Sequence, residues 1–295
     1  MTHLNRLLTA ALLFAATIAT AQQPTEAPGT LQRINASGRV VLGVRESSPP
    51  MSYAVGSATS YAGYQVELCE QILKKIVPSA KLEYMALTAQ NTVPLVSNGT
   101  VDISCAATTN NEVRQRQVAF SLTTYVSQVR IATKKSSGIQ TIDHLKGRKV
   151  VTSVGSTAVQ MLRKEARARN MEVDVVLAKD HAESFLMLES DRADAFVIDD
   201  NVLAGLISNS RNASQYQIVG EPFASERIAL MFRRDDPAFK RAVDDALRAM
   251  MKSGEVEQIY NRWFVKPIPP KNVALNLPMS DDLRRLLAEP SDAAQ

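Results

Sequence analysis

The sequence predicts an α/β fold of two lobes joined by two crossing strands. Three observations carry that expectation. Short β-rich runs alternate with amphipathic helical runs twice along the chain, the pattern of α/β folds with mostly parallel sheets. The segments Leu95–Ser104 and Leu188–Ile198 each end a helix, turn, and enter a strand through an aspartate, about 93 residues apart. Two further extended stretches, Tyr125–Lys134 and Glu226–Arg233, bracket the second run and are the natural crossings.

In order, the first run is Arg39–Val44 (strand), Tyr64–Val77 (helix), Lys81–Leu87 (strand), Gln90–Asn98 (helix) and Val101–Cys105 (strand). The second is Arg148–Ser153 (strand), Ser156–Arg169 (helix), Glu172–Ala178 (strand), His181–Ser190 (helix) and Asp194–Ile198 (strand). After the return crossing, helices are expected over Pro237–Lys252 and Glu255–Phe264. Pro267, Pro269, Pro270 and Pro278 then forbid a continuous helix, and Asp281–Leu287 is a short helical stretch in a tail that packs along the surface. Lobe one is therefore expected to comprise residues 22–127 and 230–295, and lobe two residues 128–229.

The first residues have the form of an export signal: Arg6, an apolar run from Leu7 to Ala19, and the small-x-small end Ala19-Thr20-Ala21. That run of about 13 residues is shorter than the roughly 20 a membrane helix needs. Cleavage is expected after Ala21, and Gln22 rather than a cysteine follows, so the expected product is a periplasmic protein with no lipid at its new amino terminus. Loss of Arg6 leaves 33 basic residues against 30 acidic ones, interspersed along the chain. Nucleic-acid binders concentrate positive charge, so no nucleic-acid partner is expected.

Cys69 falls in an amphipathic helix and Cys105 at a strand end. Two separate buried thiols are the preferred reading, with a disulfide as the alternative that an oxidising compartment allows. No Cys-x-x-Cys or His-x-x-x-His spacing is present, and neither metal nor cofactor is expected.

Motifs recur in a specific order: Gly43-Val-Arg-Glu-Ser-Ser48, Asn98-Gly-Thr-Val-Asp102, Thr108-Thr-Asn-Asn111 with Arg114 and Arg116, Ala178-Lys-Asp-His181, Asp199-Asp200, Arg234-Asp-Asp-Pro237 and Lys266-Pro-Ile-Pro-Pro-Lys-Asn272. In these the chain resembles the periplasmic glutamate/aspartate-binding proteins of ATP-driven importers, within the polar amino-acid solute-binding family. The resemblance implies the type II periplasmic binding protein fold and capture of a free acidic amino acid for an inner-membrane importer of the ABC type. It assigns the α-carboxylate to Arg114 and Thr157, the α-ammonium to Asp199, and the side-chain carboxylate to Arg45 and His181. Thr92, Thr108 and Ala107 are further contact candidates. Where the family pattern has Ser, Arg and Ser, this chain has Ala89, Thr92 and Ala107, so glutamine or asparagine is the alternative ligand. A planar cation for a carboxylate, amides at a helix start and an anion for an ammonium are also what a zwitterion requires chemically. No catalytic residue is expected and the expected state is a monomer. A periplasmic dehydratase using His181, and a sensor facing a membrane receptor, are the readings from other classes.

Overall fold

A computed structural model describes residues 29–56 and 59–294. The export signal and its cleavage site lie outside the described residues. The main sheet has eight strands: β1 (Arg39–Arg45), β2 (Lys81–Leu87), β3 (Ile103–Ser104), β4 (Val118–Lys134), β5 (Lys149–Ser153), β6 (Asp174–Ala178), β7 (Ala195–Asp199) and β8 (Tyr216–Arg233). The helices are α1 (Thr30–Ser37), α2 (Tyr64–Ile76), α3 (Thr92–Ser97), α4 (Glu112–Gln115), α5 (Thr157–Ala168), α6 (His181–Glu189), α7 (Asp200–Asn209), α8 (Pro237–Ser253), α9 (Glu255–Tyr260) and α10 (Asp281–Ala288).

The strand order is β2-β1-β3-β8-β4-β7-β5-β6. The three strands at each end run parallel to one another, whereas β8 and β4 pair antiparallel through the middle. The expected alternation is therefore present, but it builds one continuous mixed sheet, because the crossing strands are 17 and 18 residues long and carry pairing from one half into the other. Their ladder breaks register between Val219 and Ala224 and twice more between Ile228 and Met231. Such irregularities bend and locally loosen a strand pair.

Hydrophobic burial divides along the same line. One cluster gathers Leu42, Leu68, Ile72, Phe232, Phe239 and Tyr260 from both ends of the chain, and another gathers Val129, Val150, Leu162, Phe185, Phe196 and Leu203 from its middle. In the first, Phe264 stacks on Tyr125 at 4.9 Å and on Tyr260 at 4.4 Å. These contacts explain the apolar face of the last helical stretch, which ends in a π turn over Asn261–Val265.

The preference for separate thiols is corrected: Cys69 and Cys105 form a disulfide with Cα atoms 6.0 Å apart. It fastens α2 to the residue after β3. Sequence gives no Cα separation, so a helix cysteine and a strand-end cysteine looked unrelated until packing placed one over the other. Closing a loop of this span stabilises by about 4 kcal/mol through the unfolded chain. Reduction, or Cys69→Ala with Cys105→Ala, is expected to lower stability by about that amount, as seen in the guanidinium unfolding midpoint.

Two glycines permit the halves to touch. A β-carbon on Gly155 would lie 2.7 Å from the Gln90 backbone, and one on Gly205 would lie 2.3 Å from the Pro49 carbonyl. Gly155 also has φ +80°, a conformation that favours glycine. Because Gly205 has no such backbone requirement, Gly205→Ala isolates the steric effect. This substitution is expected to hold the halves apart, increasing the radius of gyration in small-angle scattering.

Candidate functional site

The chain ends of the parallel strands converge on the contact between the halves, where α/β folds place their sites. Arg45 ends β1, Asp199 ends β7, and Thr157 opens α5 directly beyond β5. Arg114 lies in the short helix α4, whose start is set by Asn111, its Oδ1 accepting the Arg114 amide at 3.0 Å. One cavity is lined by Arg45, Ala89, Thr92, Ala107, Thr108, Arg114, Thr157, His181 and Asp199. Every residue expected from sequence to contact ligand thus faces the same space. A groove of about 760 Å³ adjoins it, sharing Thr109, Arg114, Ser156 and Thr157 but otherwise more apolar, with Val113, Met161 and Leu177 in its wall.

Arg114 spans the halves, donating from Nη1 to the Thr109 carbonyl at 2.9 Å and from Nη2 to the Gly155 carbonyl at 3.4 Å. Burial lowers its pKa, and the nearby Glu226 and Asp199 carboxyls oppose that shift. The neighbouring Arg116 is exposed and does not line the cavity. At α5, Ser156 turns its hydroxyl back to the Ser153 carbonyl at 2.7 Å and makes no side-chain cap. The first-turn amides of this helix are thereby left for an anion.

Arg45 is 3% exposed and its Nη2 has no hydrogen-bond partner. Burial is the largest influence on its pKa, which falls to about 10; Asp180 and Asp199 oppose the fall and Arg114 adds to it. The guanidinium is still charged near neutrality, and a buried charge without a partner is costly. His181 is buried and Nδ1 lies 2.7 Å from Ser153 Oγ. Burial, then Arg45, lowers its pKa well below the usual imidazole range.

The two adjacent aspartates differ in what they bind. Asp200 accepts the Gln128 amide at 3.1 Å and the Asn201 amide at 2.8 Å, so it braces the crossing strand. Asp199 is buried, accepts Ser127 Oγ at 3.2 Å, and lies within hydrogen-bond reach of the Glu226 side chain. Burial, followed by the charges of Glu226 and Asp200, pushes its pKa well above the carboxylate range.

Sequence reasoning missed Glu226, which it treated as the start of a crossing strand. This side chain is 2% exposed, and its Oε2 accepts Thr109 Oγ1 and Thr157 Oγ1, each at 3.0 Å. It therefore ties one half to the other beside Arg114, within hydrogen-bond reach of the Asp199 carboxyl. An acid in a predicted strand was the available signal. Thr92 contributes little donor capacity, because its hydroxyl is already given to the Thr88 carbonyl. Among the described residues, no group of three His, Cys, Asp or Glu side chains is placed to hold a metal ion.

The model of the bacterial extracellular solute-binding proteins, family 3, matches residues 40–266. The chain belongs to this family. The L-glutamate/L-aspartate-binding protein of Pseudomonas aeruginosa is 41% identical over 296 residues, 99% of this chain and 96% of that one. The glutamate/aspartate import solute-binding protein of Escherichia coli is 39% identical over 301 residues, 99% of each. Among solved structures, an ancestral arginine-binding protein bound to glutamine gives a TM-score of 0.70 at 29% identity, covering 77% of this chain and 98% of that one. A mutant of ArgBP from T. maritima gives 0.72 at 22% identity over 79% of this chain and 98% of that one, a likeness of fold. This family 3 chain thus has the two-lobed type II architecture expected from its sequence.

The buried acids have a measurable consequence for stability. Asp199 binds its proton more tightly folded than unfolded, so stability contributed by the protonated form is present at low pH and is lost as pH rises through the folded pKa. Asp199→Asn is expected to raise the melting temperature of the ligand-free protein more at pH 8 than at pH 4, as followed by calorimetric scans.

Proposed function

We propose that this chain is an exported solute-binding protein that captures glutamate or aspartate between its lobes and passes it to an ATP-driven importer, without catalysis. The observation that carries this reading is Arg45: a buried guanidinium with an unpartnered Nη2, in the same cavity as Arg114 and Asp199. An acidic amino acid supplies the complementary set of charges. Its α-carboxylate meets Arg114, the Thr157 hydroxyl and the open amides of α5; its ammonium meets Asp199; its side-chain carboxylate meets Arg45 with His181 beside it. Thr108 contributes from the wall between Ala107 and Thr109.

The names of the Pseudomonas aeruginosa and Escherichia coli relatives, both glutamate/aspartate proteins similar over nearly their whole length, support the same ligand class. The lobes are proposed to comprise residues 22–127 with 230–295, and residues 128–229, moving about the irregular part of the β4–β8 ladder. The working form is proposed to be a periplasmic monomer. A side-chain amide is the second reading, favoured by Ala89, Thr92 and Ala107, which offer neither a cation nor the two serine hydroxyls of the family pattern.

Ligand that binds only the folded state raises the melting temperature. A thermal-shift screen of the ligand-free mature chain is expected to show its largest shifts with glutamate and aspartate. Arg114→Ala is expected to abolish those shifts. Arg45→Met is expected to weaken binding of the acidic ligands by roughly 10- to 100-fold, the usual effect of losing a charge-assisted bond, and to weaken side-chain amides less. Larger shifts with glutamine or asparagine would replace this reading with the amide one.

A further inference from the structure

The environment of His181 contains more information than a cationic contact requires. Three side chains form a chain of hydrogen bonds behind the imidazole. Ser184 Oγ lies 2.8 Å from the Asp180 carbonyl, Ser153 Oγ lies 2.8 Å from Ser184 Oγ, and His181 Nδ1 lies 2.7 Å from Ser153 Oγ. Ser153 and Ser184 are both fully buried, out of reach of bulk solvent. The carbonyl at its end can only accept. Each hydroxyl has one proton, so all three contacts are filled in one direction alone: Ser184 donates to the carbonyl, Ser153 donates to Ser184, and His181 donates from Nδ1 to Ser153. A neutral imidazole that donates from Nδ1 has a lone pair at Nε2. Among the described residues His181 makes no other side-chain hydrogen bond, and its ring lines the cavity.

We propose that Ser153 and Ser184 are positioning residues that hold ligand-free His181 in the Nδ1–H tautomer, so that Nε2 takes up a proton from solvent when an acidic side chain binds. This inference rests on the proposed acidic-ligand function and adds its proton linkage. A lone pair facing a carboxylate repels it, whereas Nε2–H donates to it. The proton moves from bulk water to Nε2, where it forms a charge-assisted bond to the ligand carboxylate, and Nδ1 keeps its own. A side-chain amide needs no such step, because its NH2 donates to the bare Nε2 and its oxygen accepts from Arg45. Protonation state at His181 therefore distinguishes acid from amide.

The other titratable groups lining the cavity are Arg45 from β1, Arg114 from α4 and Asp199 from β7, with Glu226 from β8 against Asp199 and Asp180 capping α6 itself. Arg45 opposes a positive charge on the ring until a ligand carboxylate offsets it. Burial and Arg45 keep the ligand-free imidazole neutral. Asp199 titrates in the opposite sense, because an arriving ammonium favours its ionised form, and it affects both ligand classes equally.

Imidazole nitrogen NMR tests this directly, since His144 and His181 are the two histidines after residue 21 and His181→Gln assigns the signals. The ligand-free protein is expected to show a protonated Nδ1 and a bare Nε2. Saturation with glutamate is expected to protonate both nitrogens. Ser153→Ala removes the acceptor for Nδ1–H and is expected to populate the Nε2–H tautomer in the ligand-free state, a signature that a merely structural serine would not produce. In calorimetry, affinity for glutamate relative to glutamine, a ratio in which proton release at Asp199 cancels, is expected to fall toward about tenfold per pH unit above neutrality, the limit for uptake of one proton, with a flatter dependence in His181→Gln. A protonated Nε2 in the ligand-free protein, or an unchanged imidazole spectrum at glutamate saturation, would overturn the proposal. Absence of any glutamate or aspartate binding would remove the proposed function together with the uptake, and is distinguished because the ligand-free spectrum still reports the tautomer.

Discussion

Contact between the lobes buries Arg45, Asp199 and Glu226 together and leaves Arg114 half-buried beside them. Their mutual attraction is incomplete: Arg45 Nη2 is left without a hydrogen-bond partner, and Asp199 is burdened by a second acid, Glu226, at hydrogen-bond range. Unpaired charge in a low-dielectric interior opposes the closed arrangement. Under the proposed function, a zwitterion with a third charge would offset the charges of Arg45 and Asp199, and its binding energy would be directed into lobe closure. This is differential affinity for one conformation, the condition for a ligand to shift a conformational equilibrium.

The rest of the fold serves that constraint. The long central strands connect the lobes and carry the register breaks about which the connection is proposed to bend. The disulfide and the Tyr125–Tyr260–Phe264 stack stiffen lobe one around its strands, which fixes Arg45 and Arg114 relative to each other. In lobe two, α5, α6 and α7 each begin at the cavity, presenting Thr157, His181 and Asp199 from one row of strand ends. Gly155 and Gly205 remove the last atoms that would keep the halves apart. Glu226, accepting a threonine hydroxyl from each side, is the internal tie across that seam.

Much of this was legible in the sequence where a residue type and its position carried the same message. The alternation of strand and helix gave most elements to within a few residues, and the motif order led to Arg114, Thr157, His181 and Asp199. The choice of Asp199 over Asp200 has a physical basis in the structure, because Gln128 and Asn201 amides occupy Asp200. What escaped depends on contacts between residues far apart in the chain. Glu226 becomes a site residue only through its register opposite Ser127 in the crossing ladder. The Cys69–Cys105 bond depends on how α2 lies over the sheet. Ser153 and Ser184 look like ordinary strand and helix serines until α6 docks on β5 and joins their hydroxyls.

The central claim is that an acidic amino acid completes the charges of the closed cleft, and a crystal structure of the mature chain with bound glutamate tests it most directly. The predicted result has the ammonium on Asp199, the α-carboxylate on Arg114 and Thr157, and the side-chain carboxylate on Arg45 and His181. A glutamate held with Arg45 Nη2 still unpartnered, or bound outside this cavity, would contradict it.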